Sequence, residues 1–81
     1  MQVQGKIVVV TGAAQGIGRA LCERFHRDGA AKVIAADLSA QGAADAAEAV
    51  GGLAFACDAS QADEVQTMVD RIEATVGPIA L

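Results

Sequence analysis

Apolar and polar positions along the chain fall into short β-branched runs separated by stretches with helical period. Lys6–Val10 is a β-branched run without polar alternation, the pattern of a strand buried on both faces. A helix is predicted from about Ile17 to Asp28. Ile17, Ala20, Leu21 and Phe25 share its apolar face, while Glu23, Arg24 and Arg27 point away. Gly29 stands where a left-handed cap is wanted. Lys32–Ala36 is a second apolar strand, ending at Asp37. Ser39 is positioned to cap a helix over roughly Ala40–Val50, which Gly51-Gly52 stops. That helix is weakened by an internal Gly42 and an apolar face made almost wholly of Ala.

Leu53–Ala56 reads as a third strand leading into Cys57-Asp58. Ser60 with Asp63 forms an S-x-x-D capping signal for a further helix, and Glu64 adds favourable charge to its first turn. Val65, Met68, Val69, Ile72 and Val76 form one stripe before Gly77-Pro78 ends it. Ile79-Ala80-Leu81 has the character of a fourth strand at its start. Three alternations of strand and helix imply parallel strands joined by right-handed crossovers. The fold class is therefore α/β, a three-layer doubly wound parallel sheet of which this chain is the N-terminal βαβαβα half.

Composition narrows the function. The chain has 81 residues, enough for one small domain, and is 53% hydrophobic and 20% charged, which fits a globular rather than a disordered chain. A formal charge of −4 without a basic stripe argues against nucleic acid as a partner. No apolar run reaches bilayer-spanning length, and no secretory signal pattern opens the chain. Cys22 and Cys57 have no metal-ligand spacing and read as buried reduced thiols, in keeping with a cytoplasmic setting. His26, among Arg24, Arg27 and Asp28, reads as a solvated surface residue rather than a catalytic one.

The chemistry lies in the turn after the first strand. Gly12 would let the chain leave the strand sharply, Gly16 would let the backbone approach a pyrophosphate, and Gly18 would let the helix pack closely. Amide groups at the start of that helix have no intrahelical acceptor and form a phosphate cradle. Asp37 follows by roughly 20 residues, at the end of the second strand, where a carboxylate can accept both hydroxyls of an adenosine ribose. It would repel a 2′-phosphate, and its neighbours Gln15 and Leu38 are uncharged, so NAD is expected over NADP. The alternative for Asp37 is an ordinary cap ahead of the next helix.

Thr11-Gly12-Ala13-Ala14-Gln15-Gly16-Ile17-Gly18 resembles the T-G-x-x-x-G-I-G motif of the short-chain dehydrogenase/reductase family. It differs from the T-G-x-x-G-x-x-G of the extended, epimerase-like relatives. The resemblance runs in register through Asp37 and Asp58. It implies a Rossmann fold and hydride transfer between a secondary alcohol or ketone and nicotinamide. It further implies a cofactor site of Gly12, Ala14, Gln15, Gly16, Ile17, Gly18, Asp37, Leu38, Asp58 and Ala59. In that scheme Asp58 and the backbone of Ala59 meet the adenine, Ile17 lies near the nicotinamide side, and Thr11 braces the turn. Each has a plainer alternative: Asp58 as a turn former before Ser60, Ile17 as core packing, Thr11 as a structural brace alone.

Family members carry an Asn-Asn-Ala-Gly motif and, further on, Ser and Tyr-x-x-x-Lys. This sequence contains no Tyr and no Asn, so no catalytic residue is assigned, and the two widely spaced cysteines give no reason to expect a metal site. Hydride transfer without the proton donor would lose a factor of about 100 to 10,000. Residues 1–81 are therefore expected to be the NAD-binding part of a single Rossmann domain truncated before its catalytic region. The expected partners are a dinucleotide, a small-molecule substrate if the chain is longer, and further copies of itself as a homo-oligomer. A non-catalytic nucleotide-binding module, or a chain that binds nothing, remain as alternatives.

Overall fold

The computed structural model describes residues 3–79. Its order is β1 (Ile7–Thr11), α1 (Gly16–Arg27), β2 (Lys32–Asp37), α2 (Ala40–Val50), β3 (Leu53–Ala56) and α3 (Ala62–Thr75). The strands form one parallel sheet in the order β1-β2-β3, with Val9 opposite Ile34 and Ala36 opposite Phe55. Ile79 makes a parallel bridge to Ile7 on the free side of β1, where a fourth strand would begin. The rest of that expected strand, Ala80 and Leu81, lies outside the described residues.

Two cores flank the sheet, and their side chains differ in size. On the α1/α2 face, Val8, Val10, Val33 and Ala35 pack against Cys22, Ala46, Ala47 and Val50. Alanine allows the two helices to lie close to the strands there. On the other face, Ile34, Ala36 and Cys57 meet Met68 and Ile72 of α3, with Ile7 and Val9 at the margin. Ile72 is wholly buried, which contributes about 2–3 kcal/mol for a side chain of its size.

Several expectations are corrected. β1 alternates between buried and half-buried positions instead of being buried on both faces, because α3 covers its second face only in part. α1 is rotated from its predicted face: Cys22 is buried and Phe25 half-buried, while Leu21 and Ala20 are exposed and Ile17 is 82% exposed. Gly18 dictates that rotation, since a Cβ there would collide with the carbonyl oxygen of Gly12. The face that must turn inward therefore runs Gly18, Cys22, Phe25, at the same helical spacing as the face predicted.

Ser60 does not cap α3. Its hydroxyl and its N–H both donate to Asp58 Oδ1, at 2.6 and 2.9 Å, and Gln61 occupies the cap position without a side-chain bond. Ser39 does cap α2, accepting the Gly42 N–H at 3.0 Å, and Gly51 closes that helix in the left-handed conformation. Cys22 and Cys57 are free and buried, and His26 is exposed.

Candidate functional site

Successive parallel strands end on the same side of a sheet, so the turns after β1, β2 and β3 gather there. Gly12 and Gly16 take φ values of +65° and +63°, a conformation that L side chains rarely adopt. A Cβ at either would meet nothing within 4 Å, so their requirement is backbone conformation rather than a clash with the chain. The space in front of them is open to a ligand. At Gly18 the reverse holds: helix and turn approach so closely that only hydrogen fits.

The N-terminus of α1 is left available for an anion. Gln15 makes no side-chain cap, and no acidic residue stands in the first turn. The N–H groups that the helix leaves unbonded there carry its positive dipole end outward. The turn itself is tied down elsewhere. Ala13 donates its N–H to the Ala36 carbonyl at 3.1 Å, and Ala14 donates its N–H to Asp37 Oδ2 at 3.0 Å. Thr11, expected to brace this turn, is exposed at the end of β1, and the bracing bonds come from Ala36 and Asp37 instead.

Asp37 uses its other oxygen as well: Oδ1 accepts the N–H of Ser39 at 2.9 Å. The N–H of Ser39, and then that of Ala14, hold its carboxyl below the usual carboxylate range. Asp37 is not itself the cap of α2: it orders Ser39, which is, and it also stands at the mouth of the crevice. Asp58 is also held low, first by the Ser60 hydroxyl and then by the Ser60 N–H. Its own N–H donates to Glu64 Oε1 at 3.0 Å, so Glu64 fastens this loop to the start of α3.

A hollow of about 200 Å³ lies between these turns, lined by Gly12, Asp37, Leu38, Cys57, Asp58, Ala59 and Ser60. Five of the residues expected to bind a cofactor thus share one crevice: Gly12, Asp37, Leu38, Asp58 and Ala59. Leu38 is 73% exposed beside it, an apolar side chain without a packing partner in the core. Ala14, Gln15, Gly16, Ile17 and Gly18 lie on the adjoining turn and the start of α1 rather than in the hollow. The exposure of Ile17 removes core packing as its explanation. Burial raises the Cys57 thiol, and the charges of Glu64 and Asp58 raise it further, so it lines the hollow as a neutral group.

A second hollow, of about 250 Å³, lies between β3 and α3 beside Phe55, Glu64 and Arg71, and contains none of the expected binding residues. Among the described residues, no group of three or more His, Cys, Asp or Glu could hold a metal, and no helix is long and apolar enough to cross a membrane.

The chain belongs to the short-chain dehydrogenase family, whose pattern matches it over residues 6–81. It is 40% identical over 83 residues to D-threitol dehydrogenase of Mycolicibacterium smegmatis, covering 96% of this chain and 32% of that protein. It is likewise 40% identical over 78 residues to tropinone reductase-like 2 of Erythroxylum coca, covering 94% and 28%. A crystal structure of ribose-5-phosphate isomerase from Brucella melitensis superposes with a TM-score of 0.85 at 38% identity, over 94% of this chain and 29% of that one. The chain thus spans under a third of the length of these relatives. The parallel βαβαβα arrangement agrees with the Rossmann-type fold expected.

Two site features escaped sequence reasoning. The Asp37–Ala14 bond joins residues 23 apart and depends on how β1 and β2 align. Gly42 reads as a helix weakness, yet a Cβ there would stand 2.5 Å from the Ala14 Cβ. A glycine inside an otherwise Ala-rich helix is itself the signal of such a close approach.

Proposed function

We propose that residues 1–81 form the dinucleotide-binding part of an NAD(H)-dependent short-chain oxidoreductase that interconverts a secondary alcohol and a ketone. The carrying observation is the charge of the crevice: Asp37 and Asp58 line it, and no Lys or Arg does. A 2′-phosphate at the ribose end would face carboxylates with no cation to offset it. Like charges 4 Å apart cost about 4 kcal/mol at an effective dielectric of about 20. A ribose bearing only hydroxyls would instead donate to the lone pairs that Asp37 leaves free.

The backbone at Gly16, Ile17 and Gly18 would hold the diphosphate, Leu38 and Ala59 would flank the adenine, and Ile17 would adjoin the nicotinamide end. When bound, the nicotinamide supplies or accepts the hydride. This segment's own part is to bind and orient it. Relatives named for a dehydrogenase and a reductase support a redox reading over the isomerase named for the structural neighbour. Two free, buried thiols agree with a cytoplasmic setting, and assembly into a homo-oligomer follows from the same family reading.

Calorimetric titration of the protein with NAD and NADP tests this. NAD is expected to bind at least tenfold more tightly, and Asp37→Ala to weaken NAD while narrowing the gap to NADP. Tighter binding of NADP, or an unchanged ratio in the variant, would overturn the assignment of NAD. Binding of neither would overturn the nucleotide reading itself.

A further inference from the structure

Residue Ala14 sits at the crown of the phosphate-binding turn, and three contacts hold this part of the turn against the β2–α2 corner. Its N–H donates to Asp37 Oδ2, and the neighbouring N–H of Ala13 donates to the Ala36 carbonyl. Its methyl group abuts Gly42 of α2 so closely that no other residue fits there. Asp37 reaches the start of α2 at the same time through the Ser39 N–H, and the Ser39 hydroxyl in turn caps that helix. One carboxylate therefore clamps two backbone segments that are 25 residues apart in the chain, Ala14 and Ser39. Charge-assisted bonds of this kind are roughly twice as strong as neutral ones.

We propose that Asp37 is a positioning residue for the phosphate-binding turn, so that diphosphate affinity depends on it even for ligands with no ribose hydroxyl to offer. The proposal rests on the nucleotide reading above and adds to it a coupling between the two halves of the site. An asparagine is nearly isosteric with Asp37 but has one acceptor oxygen, so it can keep one of the two N–H bonds and must lose the other. The turn would then lose either its hold on Ala14 or its link to α2.

The two accounts of Asp37 predict opposite signs for a suitable ligand. A residue that only contacts ribose hydroxyls is indifferent to 2′,3′-dideoxy-ADP, and removing its negative charge should, if anything, tighten an anionic ligand. A residue that positions the turn should weaken that ligand when changed. Calorimetric titrations of the wild type and Asp37→Asn with ADP and with 2′,3′-dideoxy-ADP separate them. The expected result is a loss of roughly tenfold for the dideoxy ligand in the variant, from one charged hydrogen bond withdrawn from the turn. Equal or tighter binding would overturn the proposal.

Gly42→Ala supplies a second variant that leaves Asp37 untouched and presses on Ala14 from the α2 side. It sets a Cβ 2.5 Å from the Ala14 Cβ, so the turn or the start of α2 must shift, and some stability is lost whatever the role of Asp37. Positioning of the turn predicts weaker dideoxy-ADP binding, and undiminished binding counts against it. Amide exchange in the ligand-free protein gives a readout that needs no nucleotide. The Ala14 N–H should exchange slowly in the wild type and quickly in Asp37→Ala, which keeps neither bond, and fast exchange in both would refute the clamp. If the wild type binds neither nucleotide, the reading as a nucleotide site falls, while slow Ala14 exchange that Asp37→Ala abolishes would still support the clamp itself.

Discussion

The N-termini of α1 and α2 lie side by side at one end of the sheet, and the chain treats them oppositely. At α2 the protein satisfies its own donors: Ser39 accepts the Gly42 N–H, and Asp37 holds Ser39. At α1 it does not. Gln15 offers no side-chain cap bond, the first turn has no acid, and Gly12 before the helix and Gly16 at its first position face open space. The dipole is equivalent at both ends, so it is the local side chains that decide which terminus is structural and which can take an anion. An exposed Ile17 at the open terminus fits this, since a helix optimised for its own stability would turn that side chain inward.

The contrast breaks most severely at Gly18. Gly18→Ala sets a methyl against the Gly12 carbonyl, which neither segment can evade without moving. Overpacking of this kind costs about 2–3 kcal/mol, and nucleotide affinity should fall at least tenfold with it. Chemical denaturation and calorimetry on one sample read both effects.

At the closed terminus, Ser39→Ala should cost about 1 kcal/mol of stability through the lost cap. Its effect on nucleotide affinity should stay within about twofold, because the backbone N–H that Asp37 accepts is retained. A loss of affinity equal to that at Gly18 would erase the distinction between the termini.

Gln15→Asp sharpens the comparison by giving α1 the cap that α2 already has. It should stabilise the protein by about 0.5 kcal/mol and yet weaken the binding of a diphosphate, because a carboxylate then occupies the anion's place. Stability and affinity moving in the same direction would count against an anion site at α1.

Acidification has the smallest expected effect. The Asp37 carboxyl is held below its ordinary value by two N–H groups, so its contribution is present above the unfolded pKa of about 4. It is lost as pH falls from there through the lower folded value, the sign required of a depressed carboxylate. Solvent reaches this group, so a modest decline in stability below pH about 4 is expected, absent from Asp37→Asn.

Much of this was legible in the sequence because the signals are local. β-Branched runs mark β1 and β2, the stripe from Val65 to Val76 marks α3, and Ser39 and Gly51 bracket α2. The glycine turn and Asp37 could be named for the same reason, whereas Asp58 and Ala59 rested on the family resemblance, and Cys57 and Ser60 were not expected in the crevice. The orientation of α1 could not, since Ile17-Leu21 and Gly18-Cys22 repeat at the same interval and hydropathy favours the wrong pair. Only the contact of Gly18 with Gly12 decides between them. The two bonds of Asp37 and the seat of Gly42 on Ala14 depend on three-dimensional alignment, which no local pattern encodes. Ser60 followed the capping pattern and was drawn instead to the nearer carboxylate of Asp58.

The most direct test is an amide-resolved NMR titration of the protein with ADP. The account predicts large shifts at Gly16, Ile17 and Gly18, smaller ones at Asp58 and Ala59, and none at Gln41, Gly42 and Ala43 beyond those relayed through Ala14. Shifts centred on the start of α2, or none at the glycine turn at saturating ADP, would contradict it.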